Sequence, residues 1–321
     1  MTKALSPALN CRVQQPSVWK IASVLTVGLV AYSSGAIFIR LAICDNQTPT
    51  VGFSFFLAAS RMLIAMVCCI PAWRGFSQAN YSRRDVWASL VAGIALALYF
   101  ATWITSLNFT SIAVSTTLVN LNPLWVLLVS WLWLRHKPTT LTLWGIGIAI
   151  LGAALISGAA ASPQLGGGAS VSVGNGLALV GSFSIAAYIL FGHTAQQAKI
   201  SSQHHMVLVY STAALVLIPT PLLLHTHYTG HTWRAYSWMA LMALITQMLG
   251  HTCLNWLMKW VKPTLLSAVL LMEPIVASGL GYLTFRTIPS VGVLLGGVIV
   301  ILGVAIAVLY QRSTLPNKTH S

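Results

Sequence analysis

The chain is one apolar unit written twice. Displaced by 151 residues and with no gap, Pro123 falls on Pro274 and Arg135 on Arg286. Gly145-x-x-Ile148-x-Ile150-Leu151-Gly152 falls on Gly296-x-x-Ile299-x-Ile301-Leu302-Gly303. Upstream, Tyr32-Ser33 meets Phe183-Ser184 and Phe109 meets Trp260. A duplicated hydrophobic unit is the sequence signature of a membrane protein built from two halves around a central path.

Composition closes off the other classes. Of 321 residues, 57% are hydrophobic and only 6% charged, against roughly 25% charged in soluble domains. The acids are Asp45, Asp85 and Glu273. The formal charge of +14 does not describe a nucleic-acid binder, because the basic residues stand singly between apolar runs and form no stripe. Four of the five cysteines (Cys11, Cys44, Cys68, Cys69, Cys253) lie in or near apolar segments without metal spacing and read as packing residues. The basic start before an apolar run resembles a signal peptide, but the run is about 20 residues long and lacks a small-x-small cleavage site, so an uncleaved first span is expected.

A hydrocarbon core about 30 Å thick takes about 20 helical residues. Ten stretches qualify: 21–42, 52–73, 86–107, 111–135, 140–159, 173–194, 205–224, 236–260, 264–285 and 290–309. They are too long and too continuously apolar for barrel strands, so the expectation is an all-α membrane protein. With the N-terminus inside, cytoplasmic segments hold thirteen basic residues: Lys3, Arg12, Lys20, Arg74, Arg83, Arg84, Arg135, Lys137, Lys199, Lys259, Lys262, Arg312 and Lys318. The other face holds three: Arg40, Arg234 and Arg286. The bias places both termini in the cytoplasm.

Five helices per unit is an odd number, so the second unit enters the membrane from the opposite side. The reading is ten helices as two inverted five-helix repeats, an arrangement suited to alternating access. The expected organisation is a tail at 1–20, a first repeat at 21–159, a Gly/Ser-rich linker at 160–172, a second repeat at 173–310 and a tail at 311–321.

Polar residues inside such spans are expensive and need a reason. Glu273, the acid within a span, and its repeat mate Asn122 each precede a mid-helix proline, Pro274 and Pro123. Those prolines kink the helix and free a carbonyl at bilayer depth. Arg61, in the second span, suits a bidentate anionic group or, structurally, Glu273 or helix-end carbonyls. Gln247, His251 and Asn255 recur at four-residue spacing and share one face of the eighth helix. That stripe either faces a pathway or bonds neighbouring helices. Its mates, Leu96, Phe100 and Ile104, are apolar, so a pathway would be lopsided. Ser34, Ser33, Thr116, Thr117, Asn120, Trp103 and Trp125 are further candidates for its lining. His225-x-His227-x-x-x-His231 has no carboxylate or cysteine beside it and reads as a solvated loop, not a metal site. No nucleotide-binding loop, nucleophile elbow or carboxylate pair is present, so neither an enzyme nor a cofactor is expected.

Several segments carry a family resemblance: Ser34-Gly-Ala-Ile-Phe-Ile-Arg-Leu41, Ala59-Ser-Arg61, Asn122-Pro-Leu-Trp125, Leu249-Gly-His-Thr-Cys-Leu-Asn-Trp256 and Met272-Glu-Pro-Ile275. In order and spacing, from about residue 21 to 310, the chain resembles the EamA-like ten-helix permeases of the drug/metabolite transporter superfamily. The resemblance implies a secondary transporter in the inner membrane that moves a small polar metabolite, an amino acid or related compound, most often outward. It also implies that Arg61 and Glu273 occupy positions the family favours. The chain departs from the family where a glutamate usually follows each proline by about 13 residues; His136 and Thr287 stand there instead. The competing reading is a non-transporting membrane scaffold or sensor.

Overall fold

The computed structural model describes residues 16–46, 50–76, 81–109, 112–132, 139–159, 168–197, 200–286 and 291–313. Their regular structure is entirely helical and forms ten spans. The first is α1 (Val18–Ser33) and α2 (Gly35–Asn46), the second α3 (Val51–Cys68), the third α4 (Arg83–Ser106). The fourth is α5 (Ile112–Val119) and α6 (Asn122–Leu132), the fifth α7 (Thr140–Ala159), the sixth α8 (Gly168–Gln197). The seventh is α9 (Ser202–Leu217) and α10 (Pro219–Leu223). The eighth runs through α11 (Trp233–Leu241), a π-helical stretch Met242–His251 and α12 (Thr252–Leu257). The ninth is α13 (Pro263–Leu270) and α14 (Glu273–Phe285), and the tenth α15 (Val291–Ser313). The sixth span begins at Gly168, so residues 168–172, read from the sequence as linker, are already helical. His136 and Thr287 lie outside the described residues.

Short polar residues start the spans. Ser17, Thr50, Ser82, Ser201 and Thr232 each accept a hydrogen bond from a backbone N–H three residues on, satisfying a donor the helix leaves open. Asp85 adds a favourable charge in the first turn of α4.

The breaks within spans follow from the sequence. Pro219 has no N–H to continue α9 and opens α10 instead. The fourth and ninth spans break at matching positions, Asn120-Leu121 and Leu271-Met272, and restart at Asn122 and Glu273. Even the local bonds match. Leu121 N–H donates to the Leu118 carbonyl and Leu124 to Leu121; in the other half Met272 donates to Val269 and Ile275 to Met272. Each proline thus sits at the second position of a new half-helix, where its missing N–H costs nothing. The restart leaves the positive end of each half-helix at a buried residue, Asn122 and Glu273.

In lipid, apolar burial does not drive helices together; close packing does. The fifth and tenth spans cross where the repeated glycines meet. A Cβ on Gly152 would stand 2.7 Å from both the Gly296 carbonyl oxygen and the Val300 nitrogen. The first and eighth spans cross as tightly, since a Cβ on Gly250 would reach 2.7 Å from the Tyr32 nitrogen.

The principal contacts survive exchange of the two halves. Span 1 packs on span 8 and span 6 on span 3; span 1 packs on span 9 and span 6 on span 4. Spans 2 and 7, 4 and 9, and 5 and 10 pair with their own mates. The outer perimeter carries Trp87, Trp144, Leu151, Leu283 and Leu295 in the open. A continuous apolar exterior of this kind calls for a lipid surround.

Candidate functional site

Polar side chains from the second, third, sixth, seventh, eighth and ninth spans converge in the bundle interior, joined there by Tyr32 of the first. Arg61, on α3, is only 1% exposed. One terminal nitrogen donates to Gln247 Oε1 at 2.9 Å, and the guanidinium lies over the Phe100 ring, 4.0 Å from its centroid. Arg61 is thus held by a charge-assisted hydrogen bond and a desolvated cation–π contact. Among the described residues no carboxylate pairs with it, so a direct ion pair with Glu273 is not formed.

His251, fully buried, also packs on Phe100, edge to face at 5.4 Å between ring centroids. Tyr32 lies 5.0 Å from it and Tyr188 6.1 Å. Phe100 and His251 are repeat mates, so this contact marks where the halves meet. Tyr32 and Tyr99 share a hydrogen bond at 3.0 Å, and Tyr99 stacks on Trp103 with 3° between the ring planes. Both tyrosine hydroxyls lie within electrostatic reach of Glu273 and of Arg61. The pair thus lies near both the cationic and the acidic side chain of the interior. Glu273 is 7% exposed at the start of α14.

Satisfaction of the hydrogen-bonding groups is uneven. Arg61 Nε, Gln247 Nε2, Trp103 Nε1 and both ring nitrogens of His251 are buried without a partner. Buried polar atoms are ordinarily paired, and a half-satisfied network is a poor way to hold helices together. Asn255 is the opposite case. Its Oδ1 accepts from the Tyr188 hydroxyl at 2.8 Å, its Nδ2 donates to the Tyr210 hydroxyl at 3.3 Å, and its backbone carbonyl accepts from Gln196 Nε2. Of the polar stripe on the eighth helix, Gln247 and His251 therefore belong to the unsatisfied cluster, while Asn255 is spent on neighbouring helices.

The other candidates divide likewise. Asn122 is 2% exposed, donates to the Val119 carbonyl at 3.3 Å and keeps Oδ1 unpaired. Ser34 bonds the Ala31 carbonyl at 2.6 Å and the Thr246 hydroxyl at 3.1 Å, tying the break in the first span to the π-helical stretch. Pro123 and Pro274 open the half-helices beside Asn122 and Glu273. Trp125 has an unpaired indole N–H but packs on Phe183 instead of joining the cluster. His225 and His227 are exposed, and His231 packs on Phe56 and Phe53 at 4.4 and 5.1 Å. Among the described residues no three metal-binding side chains are grouped. A cavity of about 160 Å³ between α6 and α8, lined by Val129, Phe183, Ala186, Ala187, Leu190, Phe191 and Thr194, is apolar and lies apart from the cluster.

The sequence reading passed over Tyr32, Tyr99, Tyr188 and Tyr210. The available signal was their depth: membrane tyrosines favour the interfaces, and these lie within the spans.

The sequence profile of the EamA-like transporter family matches residues 19–158 and again 172–309. The chain belongs to the EamA-like transporter family. This EamA-like protein is a multi-pass membrane transporter with a small-molecule substrate, and not an enzyme. It is 25% identical over 223 residues to the pseudopaline exporter CntI of Pseudomonas aeruginosa, an alignment that covers 68% of this chain and 74% of the relative. A solved crystal structure has the same fold, with a TM-score of 0.73 at 16% identity, covering 92% of this chain and 99% of the other. The EamA-like fold thus carries two five-helix repeats, and the polar cluster lies between them.

Proposed function

We propose that the protein exports a small zwitterionic or anionic metabolite, an amino acid or related compound, across the inner membrane by alternating access. The observation that carries the reading is the set of unpaired buried donors around Arg61. Arg61 Nε, Gln247 Nε2 and a His251 ring N–H, joined through the Arg61–Gln247 bond and the Phe100 ring, offer donors to a carboxylate, with the Trp103 indole N–H beside Tyr99 a further free donor. Glu273, within electrostatic reach of the Tyr32–Tyr99 pair, suits an ammonium group or a coupling proton. Gly28, Gly35 and Gly250 let the first and eighth spans pack closely around the cluster. The half-helices starting at Asn122 and Glu273 suit a midplane site.

The outward direction is supported by the exporter relative, and the orientation, with both termini cytoplasmic, by the thirteen-to-three distribution of basic residues. The two repeats act as the moving halves, joined by the segment between α7 and α8. A scaffold whose polar groups served packing alone would satisfy them with neighbours, as Asn255 does and Gln247 and His251 do not. The test is flux into proteoliposomes from a panel of labelled amino acids and related carboxylates. Saturable, protein-dependent uptake of a zwitterion or anion is expected. Uptake confined to cations, or none across the panel, overturns the assignment.

A further inference from the structure

Two inverted halves imply equivalent gates on the two faces, yet the hydrogen bonding at the two ends is not equivalent. At the end formed by α12, the eighth span is stapled to the sixth and seventh through Asn255. Tyr188 and Tyr210 hold its carboxamide, and Gln196 holds its backbone carbonyl. Gln196 Oε1 in turn accepts from the Ser202 hydroxyl at 2.7 Å, in the first turn of α9. One turn on, His193 Nδ1 bonds the Met258 carbonyl at 2.7 Å and Gln197 Nε2 donates to the Lys259 carbonyl at 2.9 Å. The last carbonyls of the eighth span are therefore taken by side chains of the sixth.

The repeat mates of Asn255, Tyr188 and Tyr210 are Ile104, Ile37 and Ala59, none of which can form these bonds. The opposite end is held by different bonds: the Trp238 indole N–H donates to Asp45 Oδ2 at 2.7 Å and Asn108 Nδ2 donates to Ser54 Oγ at 2.9 Å, while His231 and Tyr228 of the loop after the seventh span seat on Phe56.

We propose that the Asn255 carboxamide is a positioning element that bolts the cytoplasmic gate: its bonds to Tyr188 and Tyr210 break whenever the central site opens inward. The proposal rests on the transport reading for what passes the gate, and on the charge distribution for which face it occupies.

Cys69 is a native reporter. It is 6% exposed at the inner end of α3 and lies within electrostatic reach of the Tyr210 hydroxyl. With Cys11, Cys44, Cys68 and Cys253 replaced by serine, a membrane-impermeant maleimide applied to inside-out vesicles reads cytoplasmic opening. Tyr188→Phe keeps the ring and removes one bond; at about 1 kcal/mol per neutral hydrogen bond, Cys69 labelling is expected to accelerate about fivefold. Asn255→Leu removes both bonds, with about 25-fold expected. Tyr210 is untouched in both, so the thiol keeps its own surroundings. If Asn255→Leu does not fold, Tyr188→Phe decides alone. Labelling within twofold of the parent, or acceleration only from the outer face, overturns the proposal. Faster cytoplasmic labelling in a protein without flux upholds the gate and removes the transport reading; flux with unchanged labelling does the reverse.

Discussion

Replacing Arg61 with methionine separates binding from folding. The guanidinium gives the fold one charge-assisted bond to Gln247, worth about 1.5–3 kcal/mol, and a contact with Phe100 worth about 2 kcal/mol when desolvated. Against these stands the burial of a full charge with no carboxylate beside it among the described residues, a penalty of several kcal/mol. The terms nearly cancel, so Arg61→Met is expected to insert, fold and melt at or above the parental temperature. Binding has no such offset. Removing one partner of a buried charge-assisted contact with a carboxylate costs about 3 kcal/mol, or about 150-fold in KM. Arg61→Lys retains charge but loses the planar fork, and falls between. The assay is proteoliposome flux beside a thermal-shift measurement in detergent. Parental KM with a lowered melting temperature would refute the reasoning and make Arg61 a structural pin.

Three further predictions follow from other parts of the molecule. Glu273→Gln keeps shape and leaves no orphaned charge partner, so it folds, but flux is expected to lose its pH dependence or most of its magnitude; normal flux with an unchanged pH profile makes Glu273 structural. Gly152→Leu drives a side chain into the Gly296 carbonyl and Val300 amide, both backbone and unable to move aside, with a loss of about 3 kcal/mol or more expected; a parental melting temperature would refute the crossing of the fifth and tenth spans. Reporter fusions after residues 78, 167 and 318 are expected to read inside, outside and inside, and an outside signal at the last would break the inverted arrangement.

The fold was legible because membranes reduce the choices. Backbone groups in hydrocarbon must bond within their own segment, so long apolar runs can only be helices, and the 151-residue repeat then dictates two halves. The site was legible only in part. Arg61, Glu273, Asn122 and the stripe on the eighth helix stood out because charge and polarity are costly at that depth. Tyr32, Tyr99, Tyr188 and Tyr210 did not, because a tyrosine is apolar enough to pass as packing and its role depends on what its hydroxyl meets. Likewise, no property of the stripe separates Asn255 from Gln247 and His251.

The sequence by itself determined that the chain spans a membrane ten times in two related halves, that Pro123 and Pro274 break matching helices, and that charged groups are scarce within the spans, because these follow from local composition and period. Only the tertiary structure decided which buried polar atoms find partners. That Arg61 leans on Phe100 and not on Glu273, that Asn255 is saturated while His251 is not, and that the two gates differ depend on how helices distant in sequence meet, and a pairwise contact across 186 residues, such as Arg61 to Gln247, leaves no trace in either segment alone.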